Sequence, residues 1–261
     1  MDNSTILIAS VLLDKVKFNK EKFIEDFSKD WGITLSESID ETDSDIKEIL
    51  SENDSGDIFI SQIDGGFIIV SLMPAPIPNN EVEENAGNSF WEQASEVAKI
   101  HQAHLLVTVI SDEITQTELA LLFTKVVSST LLQENAIAVY ALGSVYEPQF
   151  YRETSRYCQD SQMLPILLVV YFGIYSADNG KTINGYTYGL AQFGKKEIEI
   201  LNSDKPYDEV YGFLIDISNY VISYDALLQD GETIGFSEEQ KLAITVSEGV
   251  ALESESVKIE L

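Results

Sequence analysis

The chain has 261 residues, with 16 Lys and Arg against 44 Asp and Glu, a formal net charge of −28 at neutral pH. Hydrophobic residues make up 44% and charged residues 23%, apolar material enough for one large domain or two small ones, so wholesale disorder is excluded. Nucleic acid is excluded as a partner and anionic membrane surfaces are disfavoured, because both are held by clustered Lys and Arg.

The N-terminus, MDNSTILIASVLLD, has no basic residue before its apolar run, and Asp14 and Lys15 end that run. At about nine residues it is too short for a membrane span and wrongly flanked for a signal peptide. It reads as a buried strand, Ile6 to Leu13. No other stretch approaches the roughly 18 uncharged apolar residues of a membrane helix. The lone cysteine, Cys158, can close no internal disulfide. These features fit a soluble, cytoplasmic protein.

Phe18, Phe23, Ile24, Phe27 and Trp31 recur at helical spacing, with Asn19 placed to cap the helix and Gly32 to stop it. Ser36 to Asp57 is an acidic block with Lys47 as its lone cation, read as a solvated loop or weak helix. Ile58–Ile63 and Phe67–Leu72 are β-rich runs joined by Asp64-Gly65-Gly66, which predicts a hairpin. Pro74, Pro76 and Pro78 then force an extended crossing. Glu83 to Gln102 predicts a helix burying Phe90, Trp91, Ala94, Val97 and Ala98, and His104–Ile110 a strand. Up to this point the order is that of a split βαβ motif. A helix follows over Thr115–Gln133.

Downstream, Ala136–Leu142 reads as a strand and Glu147–Cys158 as a helix entered through Pro148. Leu164–Tyr171 and Tyr186–Phe193 read as strands bridged by Asp178-Asn179-Gly180, with a further strand at Glu197–Leu201. Tyr207–Leu228 is a helix with Val210, Phe213, Leu214 and Ile217 on one side, and Lys241–Val246 closes as a strand. The fold class is α+β, with mixed or antiparallel sheets flanked by helices. The division is an N-terminal half over 1–112, a connecting helix over 113–135 and a C-terminal half over 136–261. Two ferredoxin-like halves and one continuous mixed sheet fit this order equally.

Within the C-terminal half, the Gly185-Tyr-Thr-Tyr-Gly-Leu190 segment, the Phe193-Gly194 turn, the Glu197-Ile-Glu199 strand and the Asp230-Gly-Glu-Thr-Ile-Gly235 turn form a recognisable set. The stretch from Leu164 to about Thr233 resembles a bacterial family known as domain of unknown function 4261. The resemblance implies a bacterial α+β protein. It implies no activity, cofactor or catalytic residue.

Several constellations invite chemistry. Gly189 to Lys195 spells G-x4-G-K, but Lys196 stands where a phosphate loop needs Ser or Thr, and a strand follows instead of a helix. It reads as strand–turn–strand. His101 and His104 are too few for zinc by themselves and read as imidazoles meeting carbonyl groups at a helix end. Cys158 reads as a structural thiol. Arg152 and Arg156, one helical turn apart, either clamp a partner's carboxylate or phosphate or knit internal carboxylates together. Asp54-Ser-Gly-Asp57 and Asp178-Asn-Gly180 read as turns, and the EF-hand spacing does not occur. No catalytic residue, metal site or cofactor is assigned.

The function expected is that of a non-enzymatic acidic protein that docks onto a basic or charge-patterned partner protein, of an immunity or secretion-associated kind. Asp40, Glu41, Asp43 and Asp45 are the candidate steering surface, with Arg152 and Arg156 as further candidate contacts. The alternative is an enzyme with a carboxylate and tyrosine site in a cleft between the halves.

Overall fold

The β-rich run TILIASVLL forms strand β1 (Thr5–Leu13), the strand about which the first sheet is built. In this computed structural model, which describes residues 5–37, 57–63, 65–235, 237 and 240–261, the chain divides into two units, Met1–Pro165 and Ile166–Leu261.

The first unit holds β2 (Ile58–Ile63), β3 (Gly66–Met73), β4 (Ala103–Ser111), β5 (Ala136–Ala141) and β6 (Ser144–Tyr146). With β1 they make a six-stranded sheet in the order β2-β3-β4-β1-β5-β6, antiparallel throughout. Side chains alternate along a strand. Leu7, Ala9, Val11 and Leu13 therefore share one face, where they are buried with Phe59, Val70, Val107 and Val109. Helices α1 (Lys20–Trp31) and α4 (Gln116–Thr130) close that side. Asn19 caps α1 by accepting the Lys22 amide, and Gly32 ends it in the left-handed conformation. Thr115 and Glu118 form a capping box on α4. On the other face Leu12, Ala138 and Tyr140 meet Val82, Ala86, Ala94 and Ala98, carried by α2 (Glu81–Asn85), the turn after it and α3 (Ala94–Ile100).

Three expectations are corrected here. The helix over 83–102 is broken, with a 3-10 turn at Ala86–Asn88 and an extended Ser89 between α2 and α3. The polar side chains at the break take tertiary bonds instead: Asn88 donates to the Gly143 carbonyl at 2.8 Å, and Ser89 to that of Val145. Phe90 is exposed as a result, and Trp91 is only partly buried against the Leu12 cluster. A core aromatic costs about 3–5 kcal/mol when truncated. Trp91→Ala should cost less, about 1–2 kcal/mol in a urea titration.

The strand order is the second correction. A split βαβ sheet sets its first strand beside its third, whereas here β1 lies between β4 and β5. Every second pair of the β1–β4 register joins two apolar residues, Leu7↔Val109, Ala9↔Val107 and Val11↔Leu105, so this pairing gives one face of the sheet a continuous apolar surface. Third, residues 136–165 pack with the first unit: β5 pairs with β1, and α5 (Pro148–Ser161) lies against α4.

The second unit contains β7 (Tyr171–Ala177), β8 (Thr182–Tyr188), β9 (Ile198–Ser203), β10 (Thr233–Ile234), β11 (Leu242–Glu248) and β12 (Glu255–Ile259). Their order is β10-β11-β12-β9-β8-β7. The sheet is mixed, because β9 and β12 run parallel. Short helix α6 (Ile166–Val169) stands where a strand was expected. A short apolar run does not distinguish the two, and Pro165 suits the start of a helix. The hairpin is therefore β7–β8, Tyr171↔Tyr188 to Ala177↔Thr182, inside the expected span. Leu190–Phe193 is a 3-10 turn between Gly189 and Gly194, with no helix that could cradle phosphate. Helix α7 (Tyr207–Ser223) buries Val210, Phe213, Leu214, Ile217 and Val221. Among the described residues no helix is long and apolar enough to cross a membrane.

Candidate interaction surface

Alternation along β7 and β8 sorts their side chains. Gly185 faces α7, where a Cβ would meet Leu214 and Val210, and its partner Ile174 shares that side. Tyr171, Gly173 and Tyr175 of β7 and Tyr186 and Tyr188 of β8 therefore lie on the opposite face. Gly173 pairs with Tyr186, whose ring lies across it: a Cβ on Gly173 would stand 2.2 Å from the Tyr186 ring. Tyr186 meets Tyr171 at 6.1 Å and Tyr175 at 6.4 Å, both edge to face. On the α7 side of the sheet, at the start of that helix, Tyr207 and Tyr211 stack at 6.1 Å, and Tyr211 packs edge-on against Phe172.

This is an aromatic surface with little acid–base power. Burial, followed by the neighbouring Tyr186, pushes the Tyr171 phenol up to about 12, with Tyr207 and Tyr211 adding to the effect. Burial also raises Tyr186 and Tyr211. All three are neutral at physiological pH, offering hydroxyl donors and π-faces but no phenolate. Tyr175, Tyr188 and Tyr207 are exposed. Asp208 and Glu209 follow Tyr207 in the first turn of α7, an arrangement suited to cations. Gly173→Ala should displace the Tyr186 ring and cost about 1–3 kcal/mol. Near-ultraviolet circular dichroism would register the change in tyrosine packing, and urea titration the loss.

The buried carboxylates of this unit are framework. Glu197 accepts the Thr187 hydroxyl at 2.7 Å and the amides of Gly189 and Ala191 at 2.8 and 3.1 Å. Glu199 accepts from Ser256 Oγ at 2.6 Å, from Ala251 N at 2.7 Å and from Val250 N at 3.0 Å, with Lys258 Nζ 3.2 Å away. Burial pushes the Glu199 carboxyl up, but these bonds outweigh it and hold the group below the ordinary carboxylate value.

Of the residues singled out in sequence, Asp40, Glu41, Asp43 and Asp45 lie outside the described residues, as does most of the acidic block. Arg152 and Arg156 are both bonded to Asp30, at 2.8 and 3.1 Å, and Arg156 lies over the Trp31 ring. They tie α5 to α1 in the first unit, while the tyrosine surface belongs to the second. His101 accepts the Ile77 amide on Nε2, so its Nδ1–H donates to the Ala98 carbonyl. His104 Nδ1 bonds the Ala75 carbonyl, and burial lowers its pKa, with His101 adding to that against the bond to Ala75. Burial raises the Cys158 thiol, the opposite of an activated nucleophile. Among the described residues no group of three or more His, Cys, Asp and Glu is arranged to hold a metal ion.

The sequence shows the tyrosine-rich segment Gly185–Leu190 without the surface it joins. The usable signal was the β alternation around Gly173 and Gly185. No curated protein and no solved structure matches the chain. Residues 186–260 match a family model described as Domain of unknown function (DUF4261). The match bears out, for the C-terminal part of the chain, the resemblance read from the Tyr-rich segment and the turns.

Proposed function

We propose that this is a cytoplasmic, non-enzymatic acidic binding protein that docks onto a basic or charge-patterned partner protein, with a bacterial immunity or secretion-associated role as its concrete form. The observation that carries the reading is the tyrosine face of the β7–β8 hairpin, with Tyr171, Tyr175, Tyr186 and Tyr188, on a chain of net charge −28. Tyrosine gives a large, rigid contact area at low entropic cost, and its ring face attracts Lys and Arg. A strongly negative surface speeds encounter with a positive partner. An enzymatic reading finds less support. The phenols of this surface are raised rather than lowered, and Glu197 and Glu199 are held by framework donors.

The test is affinity capture from the native cell, followed by binding kinetics with the captured partner. The paired change Tyr175→Ser and Tyr188→Ser should weaken binding by about 2 kcal/mol or more, roughly thirtyfold, mainly through dissociation. Raising salt toward 1 M should slow association, because the Debye length falls to about 3 Å. Neutralising Asp40, Glu41, Asp43 and Asp45 to Asn or Gln should do the same with stability nearly unchanged. Kinetics indifferent to salt and to both sets of substitutions would remove the proposal.

A further inference from the structure

The second unit contains a cavity of about 300 Å³ bounded by the Gly194–Lys196 turn, the chain after α7, and strands β9 and β12. Its walls are mostly apolar, with Ile198, Val221, Leu227 and Val257 among them, and Lys195 is part of the lining. Lys195 is the one buried lysine or arginine among the described residues. Burying an ammonium is unfavourable unless an anion meets it. The only acceptor it meets among the described residues is the Asp225 carboxylate. The two ends of this pair differ sharply: the Lys195 side chain is 6% exposed and that of Asp225 81%. An ammonium has three hydrogens to donate, and a partner standing almost wholly in water can rehydrate with little loss.

We infer that this cavity binds a small amphipathic carboxylate. Its headgroup takes the place of Asp225 on Lys195, and its aliphatic tail lies along Ile198, Val221, Leu227 and Val257. Asp225 then occupies the headgroup position while the site is free. At about 30 Å³ for each water-sized group, the cavity takes roughly ten heavy atoms, which suits a tail of up to about eight carbons. The lining residues all fall within the stretch 186–260 that matches the family model. The inference does not depend on the tyrosine surface. On a chain of net charge −28 an anion is repelled from the general surface, so saturable binding of one marks a local cation in an apolar setting.

The experiment is an amide chemical-shift titration of the full chain with octanoate below its micellar concentration, with 1-octanol as the control lacking the charge. Octanoate should give saturable shifts at residues 194–198 and 221–229. Octanol should bind there about tenfold more weakly or worse, because the charge-assisted hydrogen bond is missing. Asp225→Asn should tighten octanoate about threefold or more by removing the internal competitor. Lys195→Met should abolish the preference for octanoate over octanol. The inference is overturned by the absence of saturable shifts at those residues, by equal binding of the two probes to the unaltered chain, or by weaker octanoate binding in Asp225→Asn. That last variant alters an exposed side chain, so the test survives even if Lys195→Met does not fold.

Discussion

Glu199→Ala is expected to lower the stability of the second unit by about 3–5 kcal/mol, the range seen when one member of a buried ion pair is removed. Glu199 is 0% exposed, and its carboxylate ties β9 to the turn before β12 and to β12 itself. The Val250 and Ala251 amides fix the turn between β11 and β12, Ser256 Oγ comes from β12 itself, and Lys258 lies 3.2 Å away on the same strand. Lys258 is also directly opposite Glu199 in the parallel β9–β12 pairing. Without the carboxylate, the Val250 and Ala251 amides and the Ser256 hydroxyl lose their acceptor, and Lys258, still bonded to the Ser247 and Glu248 carbonyls, loses its counter-charge. Glu199→Gln keeps the shape but turns an amide N–H toward these donors, and should cost about 1.5–3 kcal/mol. The pH dependence follows from the lowered folded-state pKa. The stabilisation is complete above the ordinary glutamate value near 4.5 and is lost as pH falls through the lower folded value. Urea midpoints recorded from pH 7 down to pH 3 should therefore fall more steeply for the natural chain than for Glu199→Gln.

In the first unit the largest expected loss is at Phe23. The side chain is fully buried and meets Phe59 edge to face at 5.2 Å, Phe27 at 6.1 Å and Phe18 at 6.2 Å. Phe23→Ala should cost about 3–5 kcal/mol, a transfer loss plus the cavity left between α1 and the sheet. The aromatic geometry contributes about 0.5–1.5 kcal/mol beyond area, so Phe23→Leu should still lose about 1–2 kcal/mol although it fills most of the space. Urea denaturation of the two variants separates these contributions. Equal midpoints for the natural chain and Phe23→Ala would mean that α1 does not pack on β2.

Phe23 is also an instance of what the sequence reveals by itself. Its helical spacing with Phe27, the Asn19 cap and the Gly32 stop are local signals, and α1 follows them. The β2–β3 hairpin is local as well: the Asp-Gly-Gly link predicts a pairing that appears as Ile60↔Ile69. What the sequence hid was longer in range. The β1–β4 pairing joins residues about a hundred positions apart, and no local propensity ranks it above the split βαβ alternative. The break at Ala86–Asn88 depends on bonds to Gly143 and Val145, more than fifty residues away. Strands β6 and β12 are too short to show a period.

The sites divide in the same way. The tyrosine-rich segment stood out by composition, but its surface also needs Tyr171 and Tyr175, and only the register that sets Gly173 opposite Tyr186 brings the ring onto β7. Lys195 drew notice as a phosphate-loop lysine. Its partner proves to be Asp225, thirty residues on.

The central claim, that the tyrosine surface of the second unit receives cationic side chains, is tested most directly by an amide chemical-shift titration with an arginine-rich peptide at physiological salt. The account predicts shifts concentrated in residues 171–177 and 182–188, weakened by the paired change Tyr175→Ser and Tyr188→Ser. Shifts spread evenly over the acidic surface and untouched by that change would contradict it.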